Sequence, residues 1–328
     1  MPNNNRYEIS EALQMLLPLT KEEAMQEALT QEESAARRFP ILPSNANVTV
    51  IPIIPGITLF GYIRFLNASP VETRVDIYAN GRRVAADLRY QHFTEYMKLD
   101  PYFRKDNHHM MTFAMSYAYS EDYILVLSHD EVVHLKCSMI NKMPGLGFDK
   151  YANLKAGYAF MMGHAGKKLL FMGQDFAQLR EWSEERELDW YLLEEPEHQA
   201  IQSWMRDLLH MYKKKQALYE LDQSWEGFEW VNADDAYRSI YSFIRHSKDG
   251  KHNLLFVINF TPMAREDYRV GVPRKKQYKL ILNSDDVKYG GNGEKRQNIY
   301  HAVKKECDGR PYSFGYKLPP YGVAVFEF

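Results

Sequence analysis

Apolar residues change their spacing several times along the chain, and each change marks an expected element. In residues 8–38, Leu13, Leu16, Leu17, Met25 and Leu29 recur at roughly helical intervals, interrupted by Pro18, which predicts two short helices. After Pro40 and Pro43 the apolar runs become β-branched, at residues 48–54, 61–66 and 71–78, and Asn80-Gly81 predicts a tight hairpin. The strand pattern then stops near Phe93, after about four strands, fewer than a β-sandwich usually carries. That stretch reads as a fragmentary β domain.

From Tyr96 the text turns polar and aromatic, with a helix-like stretch at residues 108–118, followed by the uninterrupted apolar run Ile124-Leu125-Val126-Leu127. A short run of this kind reads as a strand buried on both faces of a parallel sheet. Phe148, Tyr151, Leu154, Tyr158 and Met161 mark a helix that stops at Gly163-His164-Ala165-Gly166, and Leu169-Leu170-Phe171-Met172 supplies a second buried strand. Strand, helix and strand make a βαβ unit. A third helix starts near Pro196 and carries Ile201, Trp204, Leu208 and Met211 along one face. Beyond about Phe228 the pattern is purely β, with runs at residues 239–244, 254–260, 278–282 and 323–328, so an antiparallel sandwich is expected there. Gly290-Gly291-Asn292-Gly293 reads as a hairpin turn. The expected organisation is a helical segment at 1–45, a partial β-sandwich-like domain at 46–95, a βα-containing domain at 96–225 and an all-β domain at 226–328.

Composition narrows the partners. The 41 Lys and Arg against 43 Asp and Glu leave a formal charge of -2, so no global field favours nucleic acid or an anionic membrane. Only Cys137 and Cys307 are present, without a CxxC or Cys/His framework, which points to a reducing, cytoplasmic setting and against a structural zinc. No window reaches the roughly 18 apolar residues that a membrane helix needs, and no signal peptide is visible at the first residues. The aromatic share of 14% suits sugar stacking and a large mixed core alike.

The most informative chemistry lies in LSHDEVVH at 127–134, which puts His129 and Asp130 at the C-terminal end of a buried parallel strand. In a (β/α)8 barrel that end carries catalysis. Cleavage of a glycosidic bond passes through an oxocarbenium-like state and uses carboxylates and hydrogen-bond donors to sugar hydroxyls, of which this pair offers one each. The plain alternative is that both merely cap the strand. A zinc reading fails, since His129 and His134 are five apart, unlike the i, i+4 pair of H-E-x-x-H. No metal is expected. Gly145-Leu146-Gly147 lacks the third glycine of a dinucleotide loop, and His108-His109 and Lys213-Lys214-Lys215 read as solvated helix positions.

LSHDEVVH followed by Lys142-Met143-Pro144-Gly145 resembles the fourth conserved region of bacterial glycogen branching enzymes. YMKLDP at 96–101, MMGH at 161–164, KKLLFMG at 167–173, REW at 180–182, LDW at 188–190 and NFTP at 259–262 resemble the same family in the right order. The resemblance covers about residues 96–328. It implies the last βα units of a truncated (β/α)8 barrel followed by an antiparallel β-sandwich, so the whole chain is of mixed α/β and β class. It also implies a retaining transglycosylase of the alpha-amylase clan, which cuts an alpha-1,4 bond and forms an alpha-1,6 branch without a cofactor. In that family the nucleophilic Asp and the acid/base Glu follow earlier strands, and a His and Asp after the seventh stabilise the transition state. Here only this last pair, His129 and Asp130, has a counterpart. Asp175, Gln178 and Trp182 follow the second strand and either line the substrate cleft or hold its loop. Leu135 stands where the family tends to have Gly, Cys137 also departs from its pattern, and Gln174-Asp175 replaces Gly-Glu.

Residues 61–93 resemble the opening of an uncharacterised bacterial β-sandwich domain, and their carboxylates Glu72, Asp76 and Asp87 read as a solvated face. The expectation is thus a branching-enzyme segment inactive by itself, with an alpha-1,4-glucan (glycogen or amylose-like chains) as partner and self-association through exposed barrel edges. A noncatalytic glucan-binding module and a functionless fusion of gene fragments, joined near 93–97, are the alternatives.

Overall fold

In the computed structural model the described residues are 76–79, 82–89, 91–116, 118–119, 123–133 and 135–328, with side chains described from His92 onward. The two N-terminal helices, the strands expected at 48–54 and 61–66, and His134 lie outside these residues. The chain divides into two units, Met1–Ala86 and Asp87–Phe328. β1 (Asp76–Ala79) pairs antiparallel with residues 82–86 of β2 (Arg82–Arg89), a strand that runs across that division, and Ala79 lies opposite Arg82, the register expected from Asn80-Gly81.

Helix α1 (Gln91–Lys98) follows, so Phe93 is helical where the strand pattern predicts β. The single helix expected at 108–118 is instead a series of short turns, with one α-helical turn, α2 (His109–Thr112), between 3-10 segments at Pro101–Asn107 and Phe113–Ser116. His108 is not solvated as expected. It is buried, its Nε2 lies 2.9 Å from the Ala233 carbonyl oxygen, and its ring stacks on Tyr241 at 4.1 Å. Then come β3 (Tyr123–Leu127), α3 (Met139–Lys142), α4 (Phe148–Gly163), β4 (Lys167–Leu170) and α5 (Pro196–Lys214). β3 and β4 run parallel, with Leu127 opposite Leu170, and this is the expected βαβ unit, but neither strand is buried on both faces as expected: in β3 only Leu125 and Leu127 are buried, and β4 is half-buried with Lys167 exposed. β4 ends two residues earlier than its apolar run; the Phe171 N–H still bonds the Leu127 carbonyl at 3.0 Å, and its ring packs toward His129 and Trp182.

From Ala152 onward helix α4 is buried all round, Asn153 and Lys155 included, and its other residues there are apolar or glycine. Small residues let it approach its neighbours. A Cβ on Gly157 would lie 2.9 Å from Met97, and one on Gly163 would lie 2.8 Å from Phe243 and Phe256. On α5, Ile201, Trp204, Leu208 and Met211 form the buried stripe that their spacing predicts.

The C-terminal part is all β. β5 (Phe228–Asn232), β6 (Ile240–Arg245), β7 (Leu254–Asn259), β8 (Arg265–Val272), β9 (Gln277–Asn283), β10 (Ile299–His301), β11 (Tyr312–Leu318) and β12 (Val323–Glu327) form two sheets. The larger has the order β10-β9-β12-β7-β6-β5 with every pair antiparallel, and the smaller pairs β11 with β8. One face of the larger sheet (Phe243, Phe256, Ile258, Val325) joins the core around α4. The other (Ile244, Leu255, Val257, Phe326) packs on Val270, Phe314 and Tyr316 of the smaller sheet. The glycine-rich stretch is no tight turn: Gly291 and Gly293 donate backbone hydrogen bonds to Asp286 and Asp285 within the long connection between β9 and β10.

A polar knot ties β6 to the start of β4. Arg245 on β6 is 0% exposed and donates to the carbonyls of Gly163, His164 and Gly227 at 2.9–3.0 Å and to Asp222 Oδ1 at 2.8 Å. Asp222 also accepts from the Gly166 N–H at 3.0 Å and from Lys167 at 3.1 Å. Burial raises the Asp222 carboxyl, but Lys168, Arg245 and Lys167 outweigh it and hold it at about 2, below its ordinary 3.8. A carboxyl lowered in this way contributes stability that is present above pH ~4 and is lost as pH falls through about 2. Thermal melts between pH 5 and 2 are therefore expected to show an acid limb that Asp222→Asn flattens. An unchanged limb in the variant would assign the acid sensitivity to other groups.

Candidate functional site at the C-terminal end of β3

The parallel pair aims the ends of both strands at one place. Ser128 stops β3, and its Oγ accepts from the Asp130 N–H at 3.3 Å, starting the 3-10 turn His129–Glu131. His129 Nε2 lies 3.4 Å from Asp130 Oδ1, and the two side chains are 14% and 33% exposed. Two rings wall the imidazole: Phe171, just past β4, at 5.9 Å, and Trp182 at 6.4 Å. Phe171 and Trp182 meet edge to face at 5.1 Å. Backbone hydrogen bonds hold the frame, from Phe171 N–H to the Leu127 carbonyl and from Trp182 N–H to that of Val132, both at 3.0 Å. The outcome is an imidazole–carboxylate pair in an aromatic corner, with the carboxylate toward solvent.

Of the residues singled out from sequence, His129, Asp130 and Trp182 therefore meet. Asp175 and Gln178 occupy the loop after β4, and among the described residues neither makes a hydrogen bond or ion pair with His129 or Asp130. Asp175 is half-buried, and burial raises its carboxyl against hydrogen bonds from its own backbone and that of Gly173. Gln178 uses its amide inside the loop, accepting from Asp189 N–H at 3.1 Å and donating to the Arg180 carbonyl at 3.3 Å. Its geometry is that of a loop support.

Two contributors were not singled out. Phe171 passed as the end of an apolar run, and Glu181 was hidden inside the REW motif. The Glu181 carboxylate accepts from the Leu135 N–H at 3.0 Å and the Cys137 N–H at 2.6 Å, and so holds the loop that leaves the site. Lys136 Nζ donates to the Asp130 carbonyl at 2.8 Å from that same loop.

Leu135 has φ 65° and is 95% exposed, so its side chain bears the left-handed conformation with little packing in return. Leu135→Gly is expected to stabilise the chain by about 0.5–1 kcal/mol, since the relief exceeds the entropy that glycine adds to the unfolded state. Urea unfolding checks this, and a loss of stability would show that Leu135 makes compensating contacts.

The family profile of the alpha amylase C-terminal all-beta domain matches residues 230–328, and that of a domain of unknown function (DUF4397) matches residues 61–104. The chain is 59% identical over 236 residues to the 1,4-alpha-glucan branching enzyme GlgB of Butyrivibrio fibrisolvens, covering 72% of this chain and 37% of that protein. It is 48% identical over 232 residues to GlgB of Aquifex aeolicus, covering 71% and 37%. Among solved structures, an AmyP variant in complex with maltotriose superposes with a TM-score of 0.50 at 11% identity, covering 73% of this chain and 48% of that one, a likeness of fold alone. The class is thus that of the alpha-amylase-like proteins with an all-β C-terminal domain. Within it, residues from about 96 to 328 belong to the GlgB-type branching enzyme family, as its C-terminal part. The chain spans 37% of the length of each of these two relatives. Among the described residues, no helix is long and apolar enough to cross a membrane.

Proposed function

We propose that β3, α4, β4 and α5 are the last βα units of a (β/α)8 barrel, and that His129 and Asp130 hold sugar hydroxyls of an alpha-1,4-glucan at its C-terminal end. The observation that carries this reading is the His129–Asp130 pair against Phe171 and Trp182 at the end of a parallel strand. An imidazole N–H and a carboxylate hydrogen-bond adjacent hydroxyls, and a flat aromatic wall suits the apolar face of a pyranose. The sugar-binding pair does not replace a nucleophile and an acid/base. Retaining transfer needs two carboxyl groups about 5–5.5 Å apart across the scissile bond, and residues 96–328 resemble only the part of the family that follows both. In this reading the chain alone retains glucan without branching it, in a cytoplasmic setting, and the outer edge of β4 is where copies of the chain associate.

The test is a branching assay on the purified chain that follows the fall in amylose-iodine absorbance, beside a His129→Ala, Asp130→Ala double variant. No turnover in either, with glucan retention reduced in the variant, is the expected result. Turnover by the parent chain that the double variant loses would overturn the inactivity, and would require a nucleophile within residues 1–95 or a site shared between chains.

A further inference from the structure

The loop that supports the candidate site continues into a second aromatic feature that the site does not use. Trp190 is 53% exposed and Tyr191 62%, side by side in the 3-10 turn Trp190–Glu194. One face of the Trp190 ring is backed by the fully buried Phe176, with centroids 5.3 Å apart and planes 28° from parallel, so the indole is braced while its opposite face meets solvent. The backbone beneath is equally fixed. Asp189 is buried, its N–H donates to Gln178 Oε1, and its carboxylate takes two hydrogen bonds from Arg180, the Nε contact at 2.8 Å. Leu192 N–H closes the turn onto the Asp189 carbonyl at 3.0 Å. Tyr191 stands near enough to Arg180 for its phenol to bear on the guanidinium charge.

A braced aromatic face in water, flanked by a phenol and an anchored guanidinium, is built to stack a flat ring and to hydrogen-bond around its rim. The local charge selects among such rings. Residues 180–197 hold eight carboxylates against two arginines, which repels phosphate-bearing chains and tolerates a neutral polyol. A nucleic acid is disfavoured on that ground, and a sugar is not.

We propose that Trp190 and Tyr191 form a second binding platform for an alpha-1,4-glucan chain, separate from His129 and Asp130, on which a glucose unit stacks while Arg180 and Tyr191 meet its hydroxyls. The ligand class rests on the glucan reading above, whereas the platform rests on its own geometry. Gln178 couples the two regions mechanically: its N–H bonds the Gly173 carbonyl at the start of the post-β4 loop, and its side-chain oxygen holds Asp189 next to Trp190.

The experiment is retardation of the full chain in native gels containing glycogen, repeated for Trp190→Ala with Tyr191→Ala, for Trp190→Phe, and for the His129→Ala, Asp130→Ala variant. The expected result is about tenfold or greater loss of affinity in the Trp190/Tyr191 double variant. Trp190→Phe should keep most of the retention, and the His129/Asp130 variant should keep a clear remainder. Thermal melts establish that each variant is folded, and Trp190→Phe provides a readout should the double variant fail to fold. Retention unchanged by the double variant, or abolished only by the His129/Asp130 variant, would overturn the platform and leave the glucan reading of the site standing. A parent chain that glycogen does not retard would overturn both, and retardation by single-stranded polynucleotide in its place would overturn the ligand class.

Discussion

Arg245→Met is expected to lower the unfolding free energy by about 3–5 kcal/mol, because it leaves the Asp222 carboxylate buried with its main partner gone. Arg245 is 0% exposed and its side chain serves acceptors on two separate stretches: the end of α4, through Gly163 and His164, and the segment before β5, through Asp222 and Gly227. The substitution also takes the guanidinium donor from the Gly163 carbonyl, a further cost where water does not reach, whereas the His164 and Gly227 carbonyls keep hydrogen bonds from Lys168 Nζ at 2.6 Å and from the His246 N–H at 3.1 Å. Pairing it with Asp222→Leu should recover part of the loss, since an apolar pair in place of a buried ion pair is often neutral. The recovery is expected to be incomplete, because the Gly163 carbonyl still lacks its donor and the Gly166 N–H loses its acceptor. Urea denaturation of both variants with a common slope measures the difference. A cost below ~1 kcal/mol for Arg245→Met would mean that water fills the knot and that the guanidinium is dispensable.

Trp204→Ala has an expected cost of similar size, about 3–5 kcal/mol, for a different reason. Trp204 is fully buried on α5, its indole N–H donates to the Lys155 carbonyl of α4 at 3.1 Å, and its ring meets Tyr289 edge to face at 4.8 Å. It thereby joins α5, α4 and the long β9–β10 connection. Truncation opens a cavity where these meet and removes the indole donor from the Lys155 carbonyl, which lies inside α4 and also accepts within the helix. Trp204→Phe keeps most of the volume and loses the donor, so about 1–2 kcal/mol is expected from it. Equal midpoints for Trp204→Phe and Trp204→Ala in urea would assign the whole effect to the hydrogen bond and none to packing.

Elements whose burial is set by their own sequence were legible, and those set by distant partners were not. Strands β6 and β7 and helix α4 from Ala152 onward are buried, so their residues are mostly apolar and their bounds fall within a residue or so of the expected ones. Strands β8 and β11 escaped notice because each packs only one face. Arg265, Glu266 and Asp267 open β8 before Tyr268, Val270 and Val272 reach the core, and Gly315 and Lys317 interrupt β11. His108 and His109 look alike in the chain, yet only His108 meets Tyr241, which comes from β6, 133 residues later. The resemblance named His129, Asp130 and Trp182, while Phe171 and Glu181 became visible only when β4 and the post-β4 loop were placed beside β3.

By itself the amino-acid sequence determined the family of residues 96–328, the βαβ unit, and the all-β C-terminal domain. Short-range periodicity and contiguous motifs encode these, and a linear reading recovers both. The tertiary structure alone decided which rings wall His129, that Gln178 supports its loop, that Arg245 and Asp222 lock β6 to β4, and that Trp190 is braced by Phe176. Each of these joins side chains from separate elements, and spacing along one segment carries no record of what another segment will bring against it.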